Sequence, residues 1–299
     1  DILVKARATA LNRADILQRK GLYPPPPGAS SILGLEVAGV VVELGSQCKK
    51  WQKGDRVFGL LPGGGYAEYV SLHENLAMRI PDNLDFEQAA AIPEVFLTAY
   101  QVLYWLCEVK PGHYVLIHAG ASGVGTAAIQ LVKEAGAYPI VTAGSEEKLE
   151  ACRKLGAIAG ANYREGPFAP RVLTATRDRG VNCIIDFVGA PYLEQNLTVL
   201  ATDGRIVLLS LLGGGVAGRF DMRLLMKKRA RIEGSTLRNR SLAYKIQLTE
   251  AFAEYALPRF ADGRLHPVID RVFSWHEIAA AHQYMEMNKN IGKIVIRIE

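Results

Sequence analysis

A chain of 299 residues, 49% hydrophobic and 22% charged, is long enough for two domains with large cores and reads as globular rather than disordered. Its net charge of +5 suits an anionic small ligand, but there is no basic run of the kind that tracks nucleic acid. The longest apolar stretch, Val95 to Cys107, is too short to span a bilayer and is broken by Thr98, Tyr100, Gln101 and Tyr104.

No stretch reads as a signal peptide. Cys48, Cys107, Cys152 and Cys183 lie far apart with no C-x-x-C pair. They suggest neither a zinc cluster nor a convincing disulfide framework, and so a reducing, cytoplasmic compartment.

In chain order, residues 1–94 are rich in β signals and glycine. Ile2–Ala8 alternates apolar and polar residues, as a half-buried strand does. Ala14–Lys20 is a short helix stopped by Gly21. The four prolines Pro24 to Pro27 enforce an extended loop after Tyr23. Val37–Leu44, Arg56–Leu60 and Tyr66–Leu72 follow as strands, separated by glycine turns. Phe86 through Leu106 reads as helix interrupted by Pro93. Strands and helices then alternate, with strands at Val115–Ile117, Pro139–Ala143, Gly160–Tyr163, Cys183–Val188, Arg205–Leu211 and Arg231–Ser235. Helices are expected at Val124–Ala135, Glu146–Leu155, Pro170–Arg179, Tyr192–Leu200 and Met222–Lys228. Six strands in βαβ alternation imply a doubly wound parallel sheet. The tail holds a long helix, strands at Val268–Phe273 and Ile294–Ile298, and a helix at His276–Met285. It lacks a core of its own and should pack back on the first domain.

The turn His118-Ala119-Gly120-Ala121-Ser122-Gly123-Val124-Gly125 joins the first of these strands to its helix. Glycines here permit a tight turn and close approach of backbone to a pyrophosphate, which the helix N-terminus then faces. The match to G-x-G-x-x-G is imperfect, since Ser122 replaces the middle glycine, and an ordinary strand-to-helix turn is the alternative. The next strand ends Thr142-Ala143-Gly144-Ser145 without the acid that holds a free ribose 2′-OH. Gly144 leaves room, Ser145 can bond a 2′-phosphate and Lys148 can add charge, which favours NADPH over NADH. The competing view makes Lys148 a solvated surface lysine and Glu146 and Glu147 ordinary first-turn acids. Among the histidines, His118 is expected to be structural and His73, His113, His266, His276 and His282 to lie on the surface.

The runs Ala10-Leu11-Asn12-Arg13-Ala14-Asp15 and Gly34-Leu35-Glu36-Val37-Ala38-Gly39 resemble the medium-chain dehydrogenase/reductase superfamily, in particular its zinc-free quinone oxidoreductases. So do Ala89-Ala90-Ala91-Ile92-Pro93, the glycine turn and Asn288-Lys289-Asn290-Ile291-Gly292-Lys293-Ile294-Val295. The resemblance covers essentially the whole chain, minus an N-terminal strand region of the family. It implies a GroES-like catalytic domain, residues 1–94 and 238–299, interrupted by a Rossmann NADPH-binding domain, residues 95–237, with the active site in the cleft.

The resemblance also places Tyr23, Ser122, Lys148, Tyr163 and Asn290 at cofactor-contacting positions, beside Gly120, Ala121, Gly123, Val124, Gly125, Gly144 and Ser145. Asn12 and Tyr23 would line the nicotinamide end, and Ser122 is a candidate active-site hydroxyl unless it merely bonds backbone. The loops Gly63-Gly64-Gly65 and Gly213-Gly214-Gly215 would let backbone approach the nicotinamide; plain β-turns are the alternative for both. Zinc-dependent relatives read G-H-E where this chain has Gly34-Leu35-Glu36, carry Cys near Asn12 and have a four-cysteine lobe absent here, so no catalytic metal is expected.

These features imply an NADPH-dependent reductase of quinones, homodimeric through its Rossmann domain. An enoyl or alkenal reductase with Tyr23 as proton donor is the alternative, and a non-catalytic NADPH-binding protein a third. No membrane or nucleic-acid partner is expected.

Overall fold

The computed structural model describes residues 1–218 and 220–299, which fall into two units, Asp1–Leu97 with Leu237–Glu299, and Thr98–Thr236. The chain begins with β1 (Ile2–Ala10), α1 (Arg13–Arg19), β2 (Glu36–Leu44), β3 (Arg56–Leu60), β4 (Tyr69–Leu72), β5 (Ala77–Arg79), α2 (Phe86–Ala90) and α3 (Pro93–Tyr100). A π-helical stretch, Gln101–Leu106, leads to β6 (Tyr114–Ile117), α4 (Gly123–Glu134), β7 (Tyr138–Ala143), α5 (Glu146–Leu155), β8 (Ala159–Asn162) and α6 (Ala169–Thr176). Then come β9 (Val181–Asp186), α7 (Leu193–Val199), β10 (Leu200–Leu208), α8 (Met222–Lys227) and β11 (Arg231–Gly234). The chain returns to its first unit with α9 (Leu242–Ala261), β12 (Ile269–Ser274), α10 (Ile278–Glu286) and β13 (Lys293–Arg297).

The first unit is built on a seven-stranded sheet in the order β12-β13-β1-β2-β3-β5, with β4 also paired to β1. All of its pairings are antiparallel except β12 with β13. Alternation along β1 sends Ile2, Val4 and Ala6 into one core with Val37, Val57 and Leu72. The tail does pack back on this sheet, since Ala8 to Ala10 of β1 pair with Val295 to Arg297 of β13. A capping box at Asn12 and Asp15 starts α1, and Asp85 caps α2 by accepting from the Gln88 N–H at 2.7 Å.

The second unit carries six parallel strands in the order β11-β10-β9-β6-β7-β8. The chain winds outward from β6 to β8, then returns to lay β9 on the other side of β6. That reversal makes the carboxyl end of β6 the switch point where such sheets bind ligands. Leu116, Ile140, Phe168, Ile184 and Ile206 fill the core.

Several expectations are corrected. β10 begins at Leu200, where the helix was expected to end, because Leu200 pairs with Val181 before the register breaks. The short β5 was not expected, and the last turns of the helix after Pro93 widen to a π-helix. Cys107 and Cys183 pair as a disulfide across 76 residues with their Cα atoms 5.9 Å apart, although their spacing suggests no disulfide framework. His282 is buried, not superficial, because Arg19 and Tyr66 flank its ring at 3.2 and 3.1 Å. Among the described residues, no helix is long and apolar enough to cross a membrane.

Candidate active site

In the second unit the glycine turn leaves β6 and enters α4 with little room to spare. A Cβ on Gly120 would lie 2.6 Å from Val141 Cβ, and one on Gly125 would lie 2.5 Å from the carbonyl oxygens of Ala119 and Gly120. Both positions therefore require glycine. Ser122 is the N-cap of α4, its Oγ accepting from the Gly125 N–H at 3.1 Å. The backbone-bonding alternative for this hydroxyl is thus realised, although its own proton is still available to donate. Ala121, Gly123 and Val124 complete the turn. The first N–H groups of a helix have no partner within it, so the amides of Gly123 and Val124 suit phosphate oxygens. A dinucleotide fits this cradle.

At the end of β7, Ser145 caps α5 by accepting from the Lys148 N–H at 3.3 Å. A Cβ on Gly144 would lie 2.5 Å from the Tyr163 hydroxyl, so the tyrosine that follows β8 lies close over Gly144. Gly144, Ser145, Lys148 and Tyr163 thus gather at the carboxyl ends of β7 and β8. Gly213-Gly214-Gly215 follows β10 and is knit to the loop after β9, with Gly213 N–H donating to Val188 O at 2.9 Å and Ala190 N–H to Gly214 O at 3.0 Å. His118 is structural as expected, fully buried between Thr142 Oγ1 at 2.9 Å and Asn196 Oδ1 at 2.7 Å.

The first unit holds the remaining candidates. Asn12, 6% exposed, donates from Nδ2 to Glu36 Oε1 at 2.8 Å. The Lys293 ammonium donates to Asn12 Oδ1 at 2.7 Å and to Glu36 Oε1 and the Leu11 carbonyl at 2.8 Å. The second Glu36 oxygen accepts from the Glu94 N–H at 2.9 Å. Around this network burial pushes the Asp15 carboxyl up to about 6 and the Glu94 carboxyl up to about 7, against the field of Lys293. Leu35, where zinc relatives have histidine, is buried and lines a cavity of about 20 Å³ with Leu60, Leu61, Glu94, Arg238 and Lys245.

Tyr23 lies under the Arg238 guanidinium, 5.4 Å from its ring centroid. Burial raises its pKa and Arg238 opposes that, so the phenol is protonated at neutral pH. Asn290 spends its Nδ2 on the Gly292 carbonyl at 2.8 Å. The loop Gly63-Gly64-Gly65 is packed on its own chain, with Gly63 facing the Ser30 carbonyl and Gly65 that of Glu36, which fits the plain turn. Sequence reasoning passed over Glu94, Arg238 and Lys293. Lys293 lay inside a recognised motif, but nothing local marked it as the partner of a residue at position 12.

The donor set does not suit a catalytic metal. Asn12 and Glu36 are already bonded to a buried ammonium, which a divalent cation would have to displace, and Leu35 offers no donor. Among the described residues, no group of three or more His, Cys, Asp or Glu is placed to hold a metal ion.

A GroES-like sheet unit interrupted by a six-stranded parallel unit with a glycine turn at its switch point defines a dehydrogenase of the nicotinamide-binding kind. Residues 1–82 match the alcohol dehydrogenase GroES-like domain and residues 123–254 the family described as zinc-binding dehydrogenase. The chain belongs to the medium-chain dehydrogenase/reductase superfamily. It is 32% identical to the quinone oxidoreductase of Homo sapiens, over 94% of this chain and 84% of that protein. It is similar in structure to the CurK enoyl reductase, at TM-score 0.85 and 30% identity over 100% of this chain and 91% of the other. A mycobacterial protein, Rv1454c, solved in complex with NADPH, has TM-score 0.88 and 28% identity over 99% of this chain and 91% of the other.

Proposed function

We propose that this oxidoreductase is a metal-independent, NADPH-dependent quinone reductase. The observation that carries the reading is the Lys293 ammonium bonded to Asn12 and Glu36, with Asn12 and Leu35 standing at the positions where the resemblance puts zinc ligands. Without a Lewis acid, an acceptor must spread incoming negative charge over its own conjugation, and a quinone does so readily. The likeness to the human quinone oxidoreductase supports the choice. When bound, NADPH supplies the hydride. The turn from Gly120 to Gly125 would hold its pyrophosphate, and Gly144, Ser145, Lys148 and Tyr163 its adenosine end, with Gly213, Gly214, Gly215 and Asn290 as further contacts. Ser122 and Asn12 orient, and Tyr23 holds a proton at its phenol oxygen. The chain's own work is positioning, which is worth much of a barrier when two reactants are held together.

The test is a product assay with NADPH on quinones and on enoyl thioesters. Faster turnover of the thioesters would replace this reading by the enoyl reductase one, which the likeness to CurK favours. The zinc content of active protein, measured by elemental analysis, is expected to be far below one per chain, and stoichiometric zinc would refute metal independence.

Lys148→Ala is expected to weaken NADPH binding by about 1–3 kcal/mol, the scale of a hydrogen bond to a charged group, and to leave NADH nearly unaffected. Titration of both cofactors checks it, and equal weakening would show that Lys148 does not read the 2′-phosphate.

We also propose a homodimer through the second unit. β11 ends its sheet, and the residues before it expose Leu211 at 51%, Val216 at 91% and Met226 at 77%. An open edge beside apolar side chains needs cover. Light scattering at micromolar concentration should give twice the chain mass, and a monomer would contradict it.

A further inference from the structure

Arg238 is the buried cation of the first unit whose donors are not all used. It is 6% exposed; Nε donates to the Pro62 carbonyl at 2.8 Å and Nη2 to Gln18 Oε1 at 2.7 Å. Both acceptors are neutral. Nη1 is buried and has no hydrogen-bond partner among the described residues. A buried donor on a charged group is expensive to leave unmade, so its persistence calls for a partner that arrives from outside. A neutral water could satisfy the N–H, and the adjoining cavity of about 20 Å³ could hold one. An anionic oxygen would add to the charge compensation that Tyr23 and Asp15 already give the guanidinium. The guanidinium already stands over Tyr23, the candidate proton donor.

We propose that Arg238 is a catalytic residue whose Nη1 takes the carbonyl oxygen of the electron acceptor and stabilises the negative charge that forms there. The proposal rests on the reductase reading above. Addition of hydride to a conjugated carbonyl compound forms one new bond to hydrogen and moves a π pair onto the oxygen, while the nicotinamide is oxidised. The oxyanion is held by the guanidinium N–H, which keeps its proton. Protonation from the Tyr23 phenol or from water completes the reduction, and the phenolate recovers its proton from solvent. A fixed cation aimed at developing charge contributes most in a dry site, and here it does the work given to a metal in zinc enzymes.

The full-length protein should be assayed with NADPH and 1,4-benzoquinone, with benzoate as a stable carboxylate probe of the same donor. Arg238→Met should lower kcat/KM by about 10²–10³-fold, the loss seen when an oxyanion donor is removed, without changing the NADPH dissociation constant. Arg238→Lys should retain an intermediate rate. Gln18→Ala, which removes a structural bond of Arg238 but not Nη1, should leave kcat/KM near wild type. Benzoate should compete with quinone in the wild type and fail to do so in Arg238→Met. If Arg238→Met does not fold, absence of benzoate competition in the wild type still refutes the proposal. So does an Arg238→Met protein with unchanged kcat/KM and unchanged benzoate inhibition, which would leave the residue a structural clamp on Pro62 and Gln18. Should the wild type reduce no quinone, direct benzoate binding to wild type and Arg238→Met separates the two ideas: binding that needs Arg238 sustains this proposal while the quinone reading fails.

Discussion

Replacing Lys293 with methionine is expected to lower the stability of the protein by about 3–5 kcal/mol, the usual cost of breaking a buried ion pair from one side. The side chains of Lys293 and Glu36 are 4% and 0% exposed, and their N–O distance is 2.8 Å. Removing the ammonium leaves a carboxylate with no opposite charge in a place that water does not reach, and strips a donor from Asn12 Oδ1 and the Leu11 carbonyl. The network also joins strands far apart in sequence, since Asn12 follows β1, Glu36 begins β2 and Lys293 begins β13. Urea denaturation checks the value. The double variant Lys293→Met with Glu36→Gln should recover part of the loss, because it removes the stranded charge. A single variant that costs less than about 1 kcal/mol, the level of an exposed pair, would show that the network is solvated.

Tyr23→Phe is expected to split the two candidate activities. Enoyl reduction needs a proton delivered after hydride attack, and loss of a general acid typically costs about 10²–10⁴-fold. A quinone needs no obligatory protein acid, so its reduction should fall only modestly, through poorer positioning. The phenol stays protonated at neutral pH, so the variant removes a real donor. Alongside it, Ser122→Val should impair reduction more than Ser122→Ala, because the branched side chain must fit a capping position inside the glycine turn. If enoyl reduction is the faster wild-type activity and Tyr23→Phe abolishes it, the quinone assignment fails.

Much of the architecture was legible because it is written in local pattern. The apolar run Tyr114–Ile117, the glycines after it and the helical spacing from Val124 give β6, the turn and α4 to within a residue. Glu146–Leu155 is marked at both ends, by Ser145 as cap and by Gly156 in a left-handed conformation. What could not be read depends on contacts that leave no periodic trace. Lys293 meets Asn12 across 281 residues, and Arg238 meets Gln18 across 220. His282 looked superficial because α10 alone does not reveal that Tyr66 and Arg19 cover it. Cys107 and Cys183 are brought together by the end of a helix and the middle of a strand, which spacing cannot foresee. β10 was misjudged at Leu200 because the start of that strand is fixed by its neighbour, Val181, and not by its own sequence.

β1 lies inside its sheet, and one of its neighbours, β13, follows the whole second unit in sequence. As the polypeptide leaves the ribosome, β1 is made before β13 and waits for it while the whole inserted unit is translated. That unit, Thr98–Thr236, has its pairings and core within one continuous stretch, so it can condense while the first sheet still lacks a strand. Pairing β13 with β1 closes a very long loop, the kind of non-local pairing that slows folding. Until it occurs, part of β1 presents an open edge to other nascent chains, and chaperones have most to protect in that interval.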